Sequence, residues 1–286
     1  MSGLIATLVA LTLIKSTPII YAALGGVISE RSGVINIGLE GMMAAGAFVA
    51  VTCAYATHSP ALGLLAGIAA GAAVGYVLAV AATRYKVDQI VAGTGINLIC
   101  AGGAAYGLVV IFDQPGASPQ VQNLGSAYWL LIGAAFALAA ALQWVLYRTP
   151  WGLRIRASGE NPSAVVSAGL DPLALRVYAV VLSGAFAGLG GAFLSIGELN
   201  LYSDGMTAGR GFIALAAVIF GRWNPLGATA ACVVFGFFEA LQFVLQGQIA
   251  WLPANAMQAL PYVAALVALA GVTGKVRAPA ADGVPF

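Results

Sequence analysis

The sequence predicts an all-α integral membrane protein, with about nine transmembrane helices in two inverted repeats with interrupted helices. Three observations favour this fold. Of the 286 residues, 61% are hydrophobic and only 8% are charged, whereas soluble domains carry about 25% charged residues. Uncharged runs of roughly 20 residues, long enough to cross a bilayer as a helix, recur along the chain. A polar, glycine-rich phrase also occurs twice, at 36–48 and 200–212.

Apolar runs between Pro, Gly and charged residues predict nine spans. They lie at about 4–28, 36–57, 60–83, 90–112, 127–147, 175–197, 205–221, 225–246 and 255–273. The first is expected to be a span and not a removed signal, because it lacks a basic stretch and a cleavage site. The seventh is short and polar at its start. Cys53, Cys100 and Cys232 lie in apolar runs at wide spacings, which favours small buried side chains over a disulfide or metal site.

The distribution of Lys and Arg predicts the orientation. With these spans, the cations of the chain fall on one side of the membrane, except Lys15 and Arg210. Cytoplasmic loops carry an excess of Lys and Arg. We therefore expect the N-terminus outside and the C-terminus in the cytoplasm.

The repeated phrase reads NIGLEGMMAAGAF at 36–48 and NLYSDGMTAGRGF at 200–212, so that Asn36 aligns with Asn200 and Glu40 with Asp204. An odd number of predicted spans separates the two copies, so the halves must be inverted. We expect one membrane domain over 1–286. It comprises a first repeat at about 4–112, a linker helix and cytoplasmic coupling loop at about 127–175, a second repeat at about 175–273 and a tail at 274–286. Such repeats are typical of transporters, although a Gly- and Ala-rich chain can also match itself by chance.

Polar side chains in or beside the apolar runs are candidates for a translocation path. These residues are Asn36, Glu40, Asn97, Asn200, Asp204 and Glu239. Acids within spans usually face the bundle interior or water. Other roles remain open: Asn36 could cap the second span, and Asn97 or Glu239 could hydrogen-bond a neighbouring helix. Arg210 could neutralise Asp204 or Glu198, and Lys15 is an unexplained charge in the first span.

The loop between the fifth and sixth spans contains the signals of a short helix. Asn161 can cap it, Pro162 fits its first turn, the helix can continue over 163–168, and Gly169 can end it. So short a helix is not stable alone. It must therefore pack against the membrane surface or a soluble partner.

The sequence lacks the motifs of nucleotide hydrolysis and of metal or hydrolytic catalysis. There is no GxxxxGK[ST], GxSxG or HExxH phrase, and His58 is the single histidine. We therefore predict no enzyme activity, no catalytic or metal-binding residues and no cofactor on this chain. The formal charge of +2 offers no argument for nucleic-acid binding.

Four segments carry a resemblance to a known family. They are ERSGVINIGLEGMMAAGAF at 30–48, DQIVAGTGINLI at 88–99, RASGENPSAVVSAG at 156–169 and GRGFIALAAVIFGRWNPLGA at 209–228. Together they resemble the permeases of ATP-binding-cassette (ABC) importers for simple sugars, nucleosides and branched-chain amino acids. The first and last are most like the smaller permease of nucleoside uptake systems.

The resemblance implies a subunit surrounded by lipid in the bacterial inner membrane, with three kinds of partner protein. These are a second permease, a cytoplasmic ATPase that binds ATP and Mg²⁺, and a periplasmic or lipoprotein substrate-binding protein. It also implies that the short helix is the coupling helix that docks on the ATPase. The residues concerned are Glu160, Asn161, Pro162, Ser163, Ala164 and Gly169, although the family consensus is matched only loosely, at Glu160 and Gly169.

The resemblance leads us to expect a permease that passes a neutral, polar solute such as a nucleoside inward. A ribose-like sugar or a branched-chain amino acid is an alternative substrate within the family. A secondary transporter that uses Glu40, Asp204 and Glu239 as proton sites is an alternative from another class. A structural membrane scaffold would show no solute flux.

Overall fold

The computed structural model describes residues 2–245, 263 and 277–286. Regular secondary structure in these residues is helical, with one isolated antiparallel bridge between Ala117 and Ser203. The helices are α1 (Ser2–Arg31), α2 (Leu39–Thr57), α3 (Pro60–Thr83), α4 (Gln89–Phe112), α5 (Ala127–Arg148), α6 (Pro150–Glu160), α7 (Pro162–Ser167), α8 (Pro172–Ala192), α9 (Arg210–Phe220) and α10 (Pro225–Leu245). A π-helical turn, Phe193–Leu199, continues α8.

Within the described ranges, seven helices are long and apolar enough to cross a membrane, so the protein is a multi-pass membrane protein. They are α1 to α5, α8 with its π-helical turn, and α10. The predicted span at 205–221 forms only the 11 residues of α9, about 16 Å of helix, which is too short to cross the roughly 30 Å hydrocarbon core. The predicted span at 255–273 lies outside the described residues, apart from Val263.

At the centre of the bundle, α8 packs along α1, α2 and α3. Backbone atoms of α3 and α8 contact each other directly. A Cβ atom added to Gly184 would lie 2.2 Å from the carbonyl oxygen of Gly71, and one added to Gly188 would lie 2.4 Å from that of Gly67. Small residues allow this close approach between membrane helices. The glycines of α3 and α8 therefore set the distance between the two helices.

Two interruptions of the helices overlap the starts of the two copies of the repeated phrase. The first lies between α1 and α2, at 32–38, where Gly33 has φ +97°. The second lies at 200–209, where Asn200, Gly205 and Gly209 have φ of 56°, 69° and 79°. These left-handed conformations are incompatible with a continuing helix. We call the two segments the first break (32–38) and the second break (200–209).

The cysteines have no disulfide partner in the described structure. The prediction of small buried side chains is confirmed for Cys232, which is buried, whereas Cys53 and Cys100 are only partly buried.

Candidate functional site

Asn97 of α4 holds the first break open. Its side-chain oxygen accepts a hydrogen bond from the Gly41 N–H at 2.7 Å, and its side-chain nitrogen donates to the Ile37 carbonyl at 3.0 Å. An unpaired backbone group in a membrane interior is costly, so these two bonds compensate for the missing helix bonds. In this conformation the Asn97 side chain forms hydrogen bonds that join α4 to the first break and the start of α2.

Asn36 connects the first break to α8. It is fully buried, and its side-chain nitrogen donates to the Ser183 hydroxyl at 2.9 Å. Its side-chain oxygen has no hydrogen-bond partner among the described residues. The alternative that Asn36 caps the second span is wrong, because Gly38 occupies the N-cap position of α2 and no side chain caps it.

Glu40 joins the two breaks. One carboxylate oxygen accepts from the Gly209 N–H at 2.8 Å, and the other accepts from the Gly211 N–H at 2.6 Å. These amides lie at the start of α9, where N–H groups lack helical partners and the helix dipole favours negative charge. Glu40 therefore caps α9 from the first turn of α2, which directly follows the first break.

Arg210 pairs with Glu239 of α10 in a salt bridge. The guanidinium also donates to the Met206 carbonyl at 2.9 Å. Arg210 therefore forms an ion pair, but its partner is neither Asp204 nor Glu198, the two candidates from the sequence. Because Glu40 binds the amides on either side of Arg210, two acids from different helices fix the start of α9.

Lys15, which the sequence left unexplained, pairs with Glu198 in the π-helical turn. Its ammonium group also lies 4.4 Å from the ring centroid of Phe243, one helical turn beyond Glu239. The two ion pairs therefore flank the same stretch of α10. A lone lysine in an apolar run was the sequence signal for this pair, but nothing local identified its partner.

Asn200 and Asp204 lie in the second break, beside the loop between α4 and α5. The Val121 N–H donates to the Asn200 carbonyl, and the Asp204 N–H donates to the Gly116 carbonyl, each at 2.8 Å. The side chain of Asp204 is exposed, whereas the side-chain oxygen of Asn200 is buried and has no partner in the described structure. The aligned acids Glu40 and Asp204 thus occupy different environments.

The predicted short helix is confirmed as α7. The Asn161 side chain accepts from the Ala164 N–H at 3.1 Å, Pro162 occupies the first turn, and Gly169 follows the end with φ +76°. Val165 is the buried residue of the helix and Val166 is 51% exposed. Helix α7 rests on α6 and α8. Most of its surface is therefore open to a partner.

Most of the polar side chains around the breaks are paired with one another or with backbone groups. The described residues contain no group of three or more His, Cys, Asp or Glu side chains that could hold a metal ion. Two buried side-chain oxygens in the breaks, on Asn36 and Asn200, have no hydrogen-bond partner among the described residues. Such oxygens can accept hydrogen bonds from hydroxyl or ring N–H groups.

The chain matches the family model described as branched-chain amino acid transport system / permease component over residues 8–270. It is 36% identical to the guanosine ABC transporter permease protein NupQ of Bacillus subtilis (strain 168), covering 99% of this chain and 97% of NupQ. It is 39% identical to the nucleoside ABC transporter permease protein NupC of Lactococcus lactis subsp. cremoris (strain MG1363), covering 98% and 96%.

A third relative is the putative glucose ABC transporter permease protein TsgC13 of Haloferax volcanii, 34% identical over 81% of this chain and 75% of TsgC13. No solved structure matches this chain. The matches to the family model and to NupQ and NupC cover nearly the whole chain, and they confirm the resemblance to ABC permeases. The chain therefore belongs to the family of permease components described for branched-chain amino acid transport systems, the membrane-spanning subunits of ABC transporters.

Proposed function

We propose that this chain is the permease subunit of an ABC importer that carries nucleosides across the bacterial inner membrane. One observation carries the proposal: the two relatives at 36% and 39% identity, each aligned over nearly its whole length, are named for guanosine and nucleoside transport. The amide and hydroxyl groups of a nucleoside suit an interior whose charges are already paired. ATP hydrolysis takes place on another chain.

The translocation path passes the two breaks. Asn36 and Asn200 line it with carbonyl oxygens that have no partner, and Asp204 lies in the second break with its side chain exposed. Glu40, Asn97 and Glu239 border the path and hold the breaks in place through the bonds described above. A few weak hydrogen bonds suffice here, because tight binding would slow release of the solute.

The chain forms one domain, 1–286, with about nine spans in total that are divided between two inverted repeats. This arrangement would account for the way the helices of the two halves pack on each other. Helices α1, α2 and α3 correspond in the repeat to α8, α9 and α10. Helix α8 packs along α3, and α1 packs along α10, so each first helix packs on the third helix of the other half. An exchange of this kind is expected of two halves with one fold.

The bundle end that includes α6 and α7 faces the cytoplasm, with the N-terminus outside and the C-terminus inside. Support comes from cations gathered at this end. Arg31 donates to the carbonyls of Trp223 and Arg222 at 2.7 and 3.2 Å, and Arg156 lies 4.8 Å from the ring centroid of Tyr147. An excess of cations marks the cytoplasmic side.

The transporter also contains a second permease, a cytoplasmic ATPase and a substrate-binding protein. No cofactor binds this chain, and ATP and Mg²⁺ bind the ATPase. The coupling segment, 160–169, contacts that ATPase through the exposed side chains of α7. Support comes from the relatives, which are named as permease proteins of ABC transporters, and from the open surface of α7.

A sugar is the second candidate substrate, because TsgC13 is named for putative glucose transport. A proton-coupled carrier is less well supported by the geometry. Glu40 bonds to backbone N–H groups and Glu239 pairs with Arg210, so two of its three proposed proton sites hold the structure together.

Uptake of radiolabelled guanosine, uridine, glucose and leucine tests the function. The measurement uses vesicles containing the whole transporter, with the ATPase either intact or inactivated at its catalytic residue. We expect nucleoside uptake that requires the active ATPase. Uptake of glucose or leucine without uptake of nucleosides would show that the substrate is a sugar or an amino acid. Uptake that survives inactivation of the ATPase would contradict an ABC importer.

A further inference from the structure

The C-terminal residues 279–284, which we call the strap, dock on the end of the bundle that includes α6. The Ala281 N–H donates to the Gly159 carbonyl at 2.8 Å, and the Ala280 N–H donates to the Glu160 carboxylate at 3.3 Å. Gly159 and Glu160 end α6 and directly precede the cap of α7. The strap is thus bonded to the base of the coupling segment.

The strap also bonds to the first break and to α8. The Gly283 N–H donates to the Gly33 carbonyl at 3.3 Å. Arg176 of α8 donates to the Val284 carbonyl at 2.9 Å and to the Ala281 carbonyl at 3.3 Å. Arg176 is only 1% exposed. Loss of the strap would remove two acceptors of this guanidinium and uncover the side chain.

Close fits on both sides show that the strap fills a specific groove. A Cβ atom added to Gly283 would lie 2.7 Å from the Ile35 side chain, and Gly283 has φ +76°. A Cβ atom added to Gly33 would lie 3.1 Å from the Ala281 carbonyl oxygen. The positive φ of Gly283 and of Gly33 (+97°) strains any side chain at either position, and the close contacts show that the strap and the first break are matched in shape.

We propose that the strap transmits movement of the coupling segment to the first break. It joins the base of α7 to Gly33, three residues before the buried Asn36, and Arg176 ties it to α8. Gly159 also packs directly on the chain at Arg31 and Gly33, where a Cβ atom added to it would lie 2.3 Å from the Arg31 carbonyl oxygen and 3.0 Å from the Gly33 nitrogen. A displacement of Gly159 would therefore reach the first break at this contact, and the strap, bonded to both Gly159 and Gly33, would keep its two sides together. The proposal rests on the proposed ABC function, because an ATPase must supply the displacement.

Two variants and a matched control test the strap in the whole transporter. One variant ends after Ala278, and the other is Gly283→Ala, which adds a methyl group against Ile35. The control is Val284→Ala, because the Val284 side chain is 53% exposed and the bond to Arg176 uses its backbone. ATP hydrolysis and uptake of tritiated guanosine are measured in the same vesicles.

We expect guanosine uptake per ATP hydrolysed to fall roughly fivefold or more in both variants, a size typical of coupling between sites. Hydrolysis itself should continue, and Val284→Ala should behave as the unaltered chain. An unchanged ratio of uptake to hydrolysis would overturn the proposal, whether or not both rates fall. If the shortened chain does not assemble, Gly283→Ala decides alone.

Hydrogen exchange separates failure of the strap from failure of the proposed substrate. Exchange of the amides at 32–38 is compared with and without ATP, in the absence of any solute. We expect an ATP-dependent change in the unaltered chain that is lost in Gly283→Ala. The same change in both chains would refute the strap, whereas absence of guanosine uptake by the unaltered transporter would refute only the substrate.

Discussion

Replacing Glu40 with alanine tests whether one carboxylate holds the two breaks together. The change removes the acceptors of two backbone N–H groups, on Gly209 and Gly211, bonded at 2.8 and 2.6 Å. A hydrogen bond to a charged group contributes about 1.5–3 kcal/mol. The carboxylate no longer has to be desolvated in the variant, which offsets part of the loss. We expect the start of α9 to lose about 2–4 kcal/mol of local stability.

Hydrogen exchange followed by mass spectrometry measures this loss directly. A loss of about 2 kcal/mol corresponds to roughly thirtyfold faster exchange of the amides at the start of α9. Glu40→Gln keeps one acceptor, so its effect should be about half as large in free energy. Asp204→Asn is the control, because it also neutralises an acid in the repeated phrase but its side chain is exposed.

Equal exchange in Glu40→Ala and the unaltered chain would refute the cap. A uniform increase along all helices would show general destabilisation and would also contradict a local role. The expected pattern is a change confined to α9 and the second break.

Three further predictions concern other contacts. Glu239→Gln should destabilise the protein by about 3 kcal/mol, because Arg210 would stay buried without its partner, and adding Arg210→Met should restore most of that loss in thermal unfolding. Gly184→Ala should cost about 1–3 kcal/mol in the same assay, because its methyl meets the Gly71 carbonyl at 2.2 Å, whereas Gly103→Ala has open space within 4 Å and should be neutral. Burial raises the pKa of Asp282 to about 7, although Arg176 and the Gly283 N–H lower it. Since this pKa exceeds that of an undocked tail, docking should be strongest at acidic pH and weaken as the pH rises towards 7, and Asp282→Asn should reduce this dependence in limited proteolysis.

Local signals in the sequence predicted seven of the nine proposed spans and α7, but not α6. Asn161, Pro162 and Gly169 predicted α7 because caps, first-turn prolines and terminal glycines act within a few residues. In the second copy of the repeated phrase Gly205 and Gly209 lie in the break, whereas Gly41 and Gly46 of the first copy lie within α2. The length of α9 was wrong because apolar composition does not show where left-handed residues such as Gly209 delay the start of a helix.

The partners of the charged residues could not be predicted, because they depend on distant parts of the chain. Lys15 and Glu198 are 183 residues apart in sequence, so neither side chain indicates the other. The acids Glu40 and Asp204 are aligned in the repeated phrase, but only Glu40 binds the amides of a helix start. Docking of the strap has no local signal either, since its bonds use backbone atoms that any residue provides.

The glycine contact between α3 and α8 affects where the protein can bend. Because backbone atoms of Gly71 and Gly184 meet without intervening side chains, no rotamer change can absorb relative motion of these two helices. We expect α3 and α8 to move together as one rigid body. Deformation would then concentrate where helical hydrogen bonding is interrupted, at Gly33 and in the segment from the π-helical turn to Gly209, and those positions would serve as the hinges of the molecule.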